Sequence, residues 1–88
     1  MKVQNMTSNN GNPVPNQFII TDGDWTYFQS YKTIIAKSNS NTCQLFLDAD
    51  SWDYSKTTAK YRNIFTDYNT AQTKAGIKDG SIILTDLN

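Results

Sequence analysis

Histidine and glutamate are absent from this sequence of 88 residues, and cysteine occurs once, at Cys43. Without histidine and with one thiol, the chain lacks the ligand sets of the common zinc sites. It also lacks the bases of Ser-His-Asp and Cys-His catalysis. A single cysteine excludes an internal disulfide and is typical of a reducing compartment. We therefore predict a protein that is not an enzyme and that uses no metal ion or cofactor.

Glycine and long apolar runs are also scarce. The four glycines, at positions 11, 23, 76 and 80, never fall at the spacing of a P-loop or of a dinucleotide-binding loop. No stretch is long and apolar enough to span a membrane, and residues 1–17 contain no apolar run of signal-peptide length. The sequence therefore predicts no contact with a membrane and a cytoplasmic location.

Charge of one sign is likewise missing, because eight basic residues balance eight aspartates. A net charge of zero excludes a strong general attraction to nucleic acid or to an anionic membrane. Aspartate, together with abundant asparagine and threonine, favours turns and strands over helices. A hydrophobic content of 38% is enough for a folded chain, and the length predicts one domain.

Composition changes near residue 17. Residues 1–16 are rich in Asn, Ser, Gly and Pro, so we predict a flexible or extended N-terminal segment, or an arm that orders on a partner. Residues 17–88 are predicted to form a single compact α+β domain. Short runs of strand-forming residues alternate there with turn signals such as Asp22-Gly23. They predict a small antiparallel sheet of four to five strands, from runs at 18–21, 25–31, 33–36, 42–48 and 81–85.

Two helices are predicted between the last two strands. Apolar residues recur at helical spacing within 56–68, which indicates an amphipathic helix with one buried stripe. The stripe consists of Tyr61, Ile64, Phe65 and Tyr68. Ser55 or Asp53 can cap this helix. A shorter second helix is predicted at 70–78, with Asn69 as its cap.

The opposite face of the first helix is a candidate binding surface. It carries basic, hydroxyl and amide side chains, which are the groups that hold phosphates and polar partners. These candidate residues are Lys56, Thr57, Lys60, Arg62 and Asn63. A solvated helix face without any binding role is the alternative interpretation of the same residues.

The aromatic strand at 25–31 is a second candidate surface. Tyr27 and Tyr31 share one side of the strand, and Phe28 lies on the other. Exposed strand aromatics can stack on the bases of single-stranded nucleic acid. Packing in the core is the alternative, because a domain of this size is short of apolar residues. Cys43, which shares a strand face with leucines, is predicted to be a small buried residue.

Three aspartates form an acidic cluster before the first helix. Asp48 and Asp50 match the start of a calcium loop, but Trp52 occupies the third ligand position. The closing carboxylate of such a loop is also missing, since Ala59 stands there. Asp53 is the third member of the cluster. Turn formation and a favourable negative charge at the helix N-terminus explain the three aspartates better than a metal site does.

Four blocks of the sequence resemble an uncharacterised family of small proteins encoded by bacteriophages and other mobile elements. The blocks read GNPVPNQF at 11–18, YFQSY at 27–31, IA at 35–36 and WDYSxTTxKYR at 52–62. The family has no assigned activity, so the resemblance transfers no catalytic residue. It implies a small accessory protein in a bacterial cytoplasm. It also implies that residues 11–18 belong to the family pattern and are not merely a disordered terminus.

Two hypotheses for function follow. The first is that the chain binds a host protein or a protein–nucleic-acid complex and inhibits host defence or nucleic-acid handling by occupancy. The second is direct binding of single- or double-stranded nucleic acid through Lys56, Lys60 and Arg62 with the strand aromatics, and its affinity would fall steeply with salt. A metal-dependent enzyme built on the three aspartates would lack its remaining ligands.

Overall fold

The computed structural model describes residues 1–8 and 10–88, which form a six-stranded sheet and two helices. The strands are β1 (Lys2–Thr7), β2 (Pro13–Asp22), β3 (Trp25–Ser30), β4 (Thr33–Asn39), β5 (Leu45–Asp48) and β6 (Ile82–Thr85), and the helices are α1 (Lys56–Thr66) and α2 (Thr70–Asp79). The spatial order of the strands equals their order in the chain. The predicted α+β class is therefore confirmed.

The prediction of four to five strands is too low, because the N-terminal segment contributes to the sheet. β1 lies within it, pairs antiparallel with β2 and has only Met6 buried. Its order comes from hydrogen bonds to β2 and not from an apolar period, so the pattern of the sequence does not reveal it. β2 begins at Pro13, a residue with no backbone N–H, and strand starts tolerate that loss.

The predicted turn at Asp22-Gly23 is confirmed. Asp22 pairs with Trp25, so a two-residue loop joins β2 to β3, and Gly23 there adopts a φ of 60°. Such a positive φ suits glycine and is typical of tight hairpins. The sheet is antiparallel up to β5, whereas β6 pairs parallel to β5 after the two helices have crossed over.

Both helices cover the same face of the sheet. Phe28, Ala36 and Leu47 are paired in register, so their side chains share one face. The ring of Phe28 lies 5.9 Å from that of Phe65 in α1. Gly76 of α2 lies so close to β6 that an added Cβ would approach Ile82 Cδ1 to 2.5 Å. The core between helices and sheet consists of Met6, Phe28, Ile35, Ala36, Leu45, Leu47, Tyr61 and Ile82.

The predicted caps of both helices are confirmed, and the predicted buried stripe of α1 is partly wrong. The Ser55 side chain accepts a hydrogen bond from the Thr58 N–H, and Asn69 forms a capping box with Gln72. The side chains of α1 that are buried or packed on the core are Thr58, Tyr61, Arg62 and Phe65, whereas Ile64 and Tyr68 are exposed. The observed stripe differs from the predicted one because α1 buries an arginine and a threonine. A prediction from the spacing of apolar residues does not include these two residue types.

Candidate functional site

The outer surface of α1 retains three of the five predicted contact residues. Lys56, Thr57 and Lys60 are exposed, and Lys60 Nζ lies 5.4 Å from the centre of the Tyr61 ring. Asn63 is half-buried, and its side chain accepts a hydrogen bond from Arg62 and donates one to Thr70. The basic surface of this helix is therefore smaller than the sequence predicts.

The prediction that Arg62 lies on the exposed face is wrong, because Arg62 is fully buried. Its Nη1 donates to the Trp52 carbonyl at 2.7 Å and lies 3.4 Å from Asp53 Oδ1. Its Nη2 donates to Asn63 at 2.9 Å and to Thr70 at 3.0 Å. The guanidinium group also lies 5.2 Å from the centre of the Trp52 ring. Arg62 thus ties the loop before α1 to the start of α2, which is a structural role.

The three aspartates of the acidic cluster have different environments. Asp48 is buried, and its carboxylate accepts a hydrogen bond from the Leu87 N–H at 3.0 Å, whereas Asp50 and Asp53 are exposed. Within 1–8 and 10–88, no three acidic or cysteine side chains are grouped so that they could hold a metal ion. Burial raises the pKa of Asp48, but hydrogen bonds from Leu87, Ser51 and Asn88 outweigh it and hold this pKa below its usual value.

Asp48 should make the fold sensitive to acid. Because its pKa is lower in the folded chain than in the unfolded one, the charged carboxylate stabilises the fold at pH values above about 3.8. This contribution is lost as the pH falls through the folded pKa. We expect urea unfolding at a series of pH values to show a less steep acid loss for Asp48→Asn than for the wild type. Equal slopes would contradict this assignment.

The second face of the sheet is covered by neither helix. One row of paired residues crosses all six strands on this face, namely Val3, Ile20, Tyr27, Lys37, Phe46 and Ile83. Phe18 and Trp25 share the face, because each lies two residues from a member of the row. None of these eight side chains is buried. We call these eight residues the open sheet face.

An aromatic cluster with one cation occupies the middle of the open sheet face. The rings of Trp25 and Phe46 are 5.9 Å apart and tilted by 49°. Lys37 Nζ lies 4.4 Å from the centre of the Trp25 ring and 5.2 Å from that of Phe46. Tyr27, a predicted binding residue, belongs to this surface. The expectation that the aromatic strand packs mainly in the core applies to Phe28 but not to its neighbours Trp25 and Tyr27.

A cleft opens beside the N-terminus of α1 and has a volume of about 470 Å³. One wall comes from the end of β3, the following turn and β4, with Ser30, Tyr31, Thr33 and Ile35. The other wall comes from the loop before α1 and its first turn, with Ser51, Tyr54, Ser55, Thr57 and Thr58. We call this space the hydroxyl cleft. It brings together two predicted site residues, Tyr31 and Thr57, whereas Tyr27 lies on the opposite side of the sheet.

Several residues of these surfaces are not predicted from the sequence to be binding residues. Lys37, Phe46 and Ile83 carry no motif, and only strand register places them in one row with Tyr27. One signal was available, because the runs at 18–20 and 45–47 are apolar at every position, which is typical of strands that are apolar on both faces. Cys43, predicted to be buried, is exposed and lies outside β5.

Comparisons with known proteins identify a family. Among the residues that the structure describes, no helix has the length and apolar character needed to cross a membrane. No curated protein and no solved structure matches the chain. A family model described as a family of unknown function, DUF8033, matches residues 1–81, and the chain therefore belongs to that family.

Proposed function

We propose that this protein is a non-enzymatic binding protein whose open sheet face takes a macromolecular partner. Antiparallel sheets with one uncovered face usually place polar side chains there. This side of the sheet also carries polar side chains, including Asn5, Gln29 and Asn39. Among them, the seven apolar or aromatic side chains and one lysine of the open sheet face form a contiguous group. A chain of 88 residues has few apolar side chains to spare. Contiguous apolar surface left in contact with water is characteristic of interaction sites.

The composition of the open sheet face fits a protein partner. Tryptophan, tyrosine and phenylalanine are enriched where partners make their strongest contacts. Val3 and Ile83, at the two ends of the row, are 56% and 39% exposed. A partner that covers the whole row would therefore remove apolar area from water on both edge strands of the sheet. Such burial is worth about 25 cal/mol for each Å² of apolar surface.

The biological setting of the proposal comes from the resemblance of the sequence blocks. A small accessory protein of a bacteriophage or other mobile element would act in the bacterial cytoplasm. Its partner would be a host protein or a protein–nucleic-acid complex, and occupancy alone would inhibit the function of that partner. Inhibition by occupancy needs no catalytic group, so it is compatible with a chain that has no histidine and one exposed cysteine.

The proposal can be tested by affinity capture from a bacterial host lysate. We expect the tagged wild type to retain a specific partner and the double variant Tyr27→Thr, Phe46→Thr to lose it at least tenfold. Threonine keeps the strand propensity of both positions and removes the rings. Lys60→Ala, on the helix side of the molecule, is the matched control and should capture as the wild type does. No specific partner for folded wild type, or equal capture by the double variant, would contradict the proposal.

Direct binding of single-stranded nucleic acid is a second candidate function, and Lys37 is the observation that favours it. A cation between aromatic rings offers both a phosphate contact and stacking surfaces for bases. The net charge of zero opposes nonspecific binding. Fluorescence anisotropy with single- and double-stranded oligonucleotides separates the candidates. If the protein binds nucleic acid, the affinity should be micromolar at low salt and should fall as the salt concentration rises. The Lys37→Ala variant should bind more weakly than the wild type. Absence of binding at micromolar protein would remove this candidate.

A further inference from the structure

We propose that the hydroxyl cleft binds a neutral sugar ring, carried by a saccharide or by a nucleoside. The cleft lies on the helix side of the sheet, away from the open sheet face, so this site is independent of the function proposed above. Its volume of about 470 Å³ falls within the range of small-molecule sites. It is therefore large enough to admit one or two rings.

The chemistry of the lining selects the class of ligand. Eight of the nine lining residues carry a hydroxyl group, and none carries a charge at neutral pH. A hydroxyl group both donates and accepts, so it matches a ligand whose own groups do both. Anionic ligands are usually held by arginine or lysine. The single arginine of the chain, Arg62, is buried, and both of its terminal nitrogens donate to residues outside the cleft. A neutral polyol is the better match.

Two tyrosines give the mouth of the cleft flat apolar surfaces. Tyr31 is 57% exposed and Tyr54 is 76% exposed. Sugar rings have one or two faces made of C–H groups, and these faces pack against aromatic rings while the hydroxyl groups at the edge make hydrogen bonds. The cleft thus combines both kinds of contact that a sugar ring makes.

The backbone of Tyr31 is unfavourable for an aromatic residue and is held in place from both sides. Its φ of 57° lies in the left-handed region, where a bulky side chain is uncommon. The Asn16 carbonyl accepts the Tyr31 N–H at 2.7 Å, and Gln29 Nε2 donates to the Tyr31 carbonyl at 2.7 Å. Glycine or asparagine would suit this turn better. A tyrosine kept at such a position favours a role in binding over a role in folding.

The floor of the cleft has spare polar capacity. Ser30 and Thr58 hydroxyls lie 3.3 Å apart, and Ser55 donates to Thr58 at 3.1 Å. A hydroxyl oxygen accepts two hydrogen bonds, so these groups retain capacity for a ligand. Gln17 pairs with Ser30 and shares its face of the sheet, and its fully buried amide has no hydrogen-bond partner in the described chain. Gln17 itself does not line the cleft, so the hydroxyl groups of Ser30 and Thr58 carry the polar capacity of the floor.

Titration followed by two-dimensional amide NMR tests the proposal on the intact chain. The probes are maltose, N,N′-diacetylchitobiose, uridine and free uracil, each raised to millimolar concentration. We expect a saccharide or uridine to shift the amide signals of Tyr31, Thr57 and Thr58 and to leave those of the open sheet face unchanged. Maltose and chitobiose report the saccharide source, and uridine reports the nucleoside source. Binding of uracil as tight as that of uridine would overturn the proposal, because the base would then be the ligand.

Variants of Tyr31 separate binding from folding. Tyr31→Asn should raise the melting temperature by a few degrees. It should also lower the affinity for the probe that binds the wild type by at least tenfold. Tyr31→Phe keeps the ring and should retain binding within about threefold of the wild type. Tyr68→Ala, which removes an exposed tyrosine that does not line the cleft, is the matched control and should bind normally. No amide shifts with any probe, or unchanged binding in Tyr31→Asn, would overturn the proposal.

Discussion

Replacing Arg62 with alanine is expected to lower the free energy of unfolding by about 3–5 kcal/mol. The change removes the donors of the Trp52 carbonyl and of Thr70 Oγ1, both at about 3 Å or less, and leaves a cavity beneath α1. A domain of this size has a total stability near the lower end of about 5–15 kcal/mol. Chemical denaturation followed by circular dichroism measures this loss of stability. At physiological temperature, a large fraction of the variant molecules should be unfolded.

Two further variants distinguish a buried network from a surface charge. Arg62→Lys should also be destabilised by more than 1 kcal/mol, since one ammonium group cannot reach acceptors on both sides of a planar guanidinium group. Asp53→Asn should cost less than about 1 kcal/mol, because that carboxylate is 47% exposed and its 3.4 Å contact is screened by water. Wild-type stability of Arg62→Ala would contradict this account and would return Arg62 to the contact surface.

Replacing Gln17 with leucine is expected to raise the free energy of unfolding by about 1–3 kcal/mol. The Gln17 side chain is fully buried on the helix side of the sheet, and neither its Oε1 nor its Nε2 has a hydrogen-bond partner in the described part of the chain. Leucine has a similar volume and carries no polar atom to desolvate. Thermal and urea unfolding of the two proteins measure the gain.

A matched change at an exposed position provides the control. Gln4→Leu, on the edge strand β1, should change stability by less than about 0.5 kcal/mol. A destabilised Gln17→Leu variant would show that the amide is satisfied in solution and would contradict this prediction.

Local signals predict the helices and their ends well. Ser55 and Asn69 cap helices through bonds to residues three positions away, and such contacts are visible in the sequence itself. The hairpin at Gly23 is equally local. The strands 18–21, 25–31 and 81–85 are recognisable because branched and aromatic residues cluster there. The α+β class follows from these elements alone.

Features that depend on distant partners are not predictable in the same way. β1 is a strand because β2 lies beside it, although its own residues carry no apolar period. Arg62 is buried because acceptors ten residues before and eight residues after it converge on its guanidinium group. Its charge, taken alone, indicates an exposed residue. Both cases show tertiary contacts that override a local preference.

The candidate sites likewise combine features that local sequence predicts with features that depend on tertiary contacts. Period-two alternation places Tyr27 and Phe28 on opposite faces of β3, but it does not say which face the helices will cover. The row through Lys37 and Phe46 exists only because the register aligns five strand pairs. The hydroxyl cleft likewise needs the turn at Tyr31 to meet the loop before α1. Residue types favour the hypothesis of a binding protein, whereas only the topology shows which residues share a candidate surface.

Site-specific photo-crosslinking tests the central claim that a partner covers the open sheet face. Benzoylphenylalanine would replace Tyr27 in one variant and Lys60 in another, and each variant would be irradiated inside bacterial cells that produce it. We predict a discrete crosslinked species from position 27 on the open sheet face and none from position 60 on the outer surface of α1. Crosslinks from position 60 alone, or from neither position in folded protein, would contradict the proposal that the open sheet face is the binding surface.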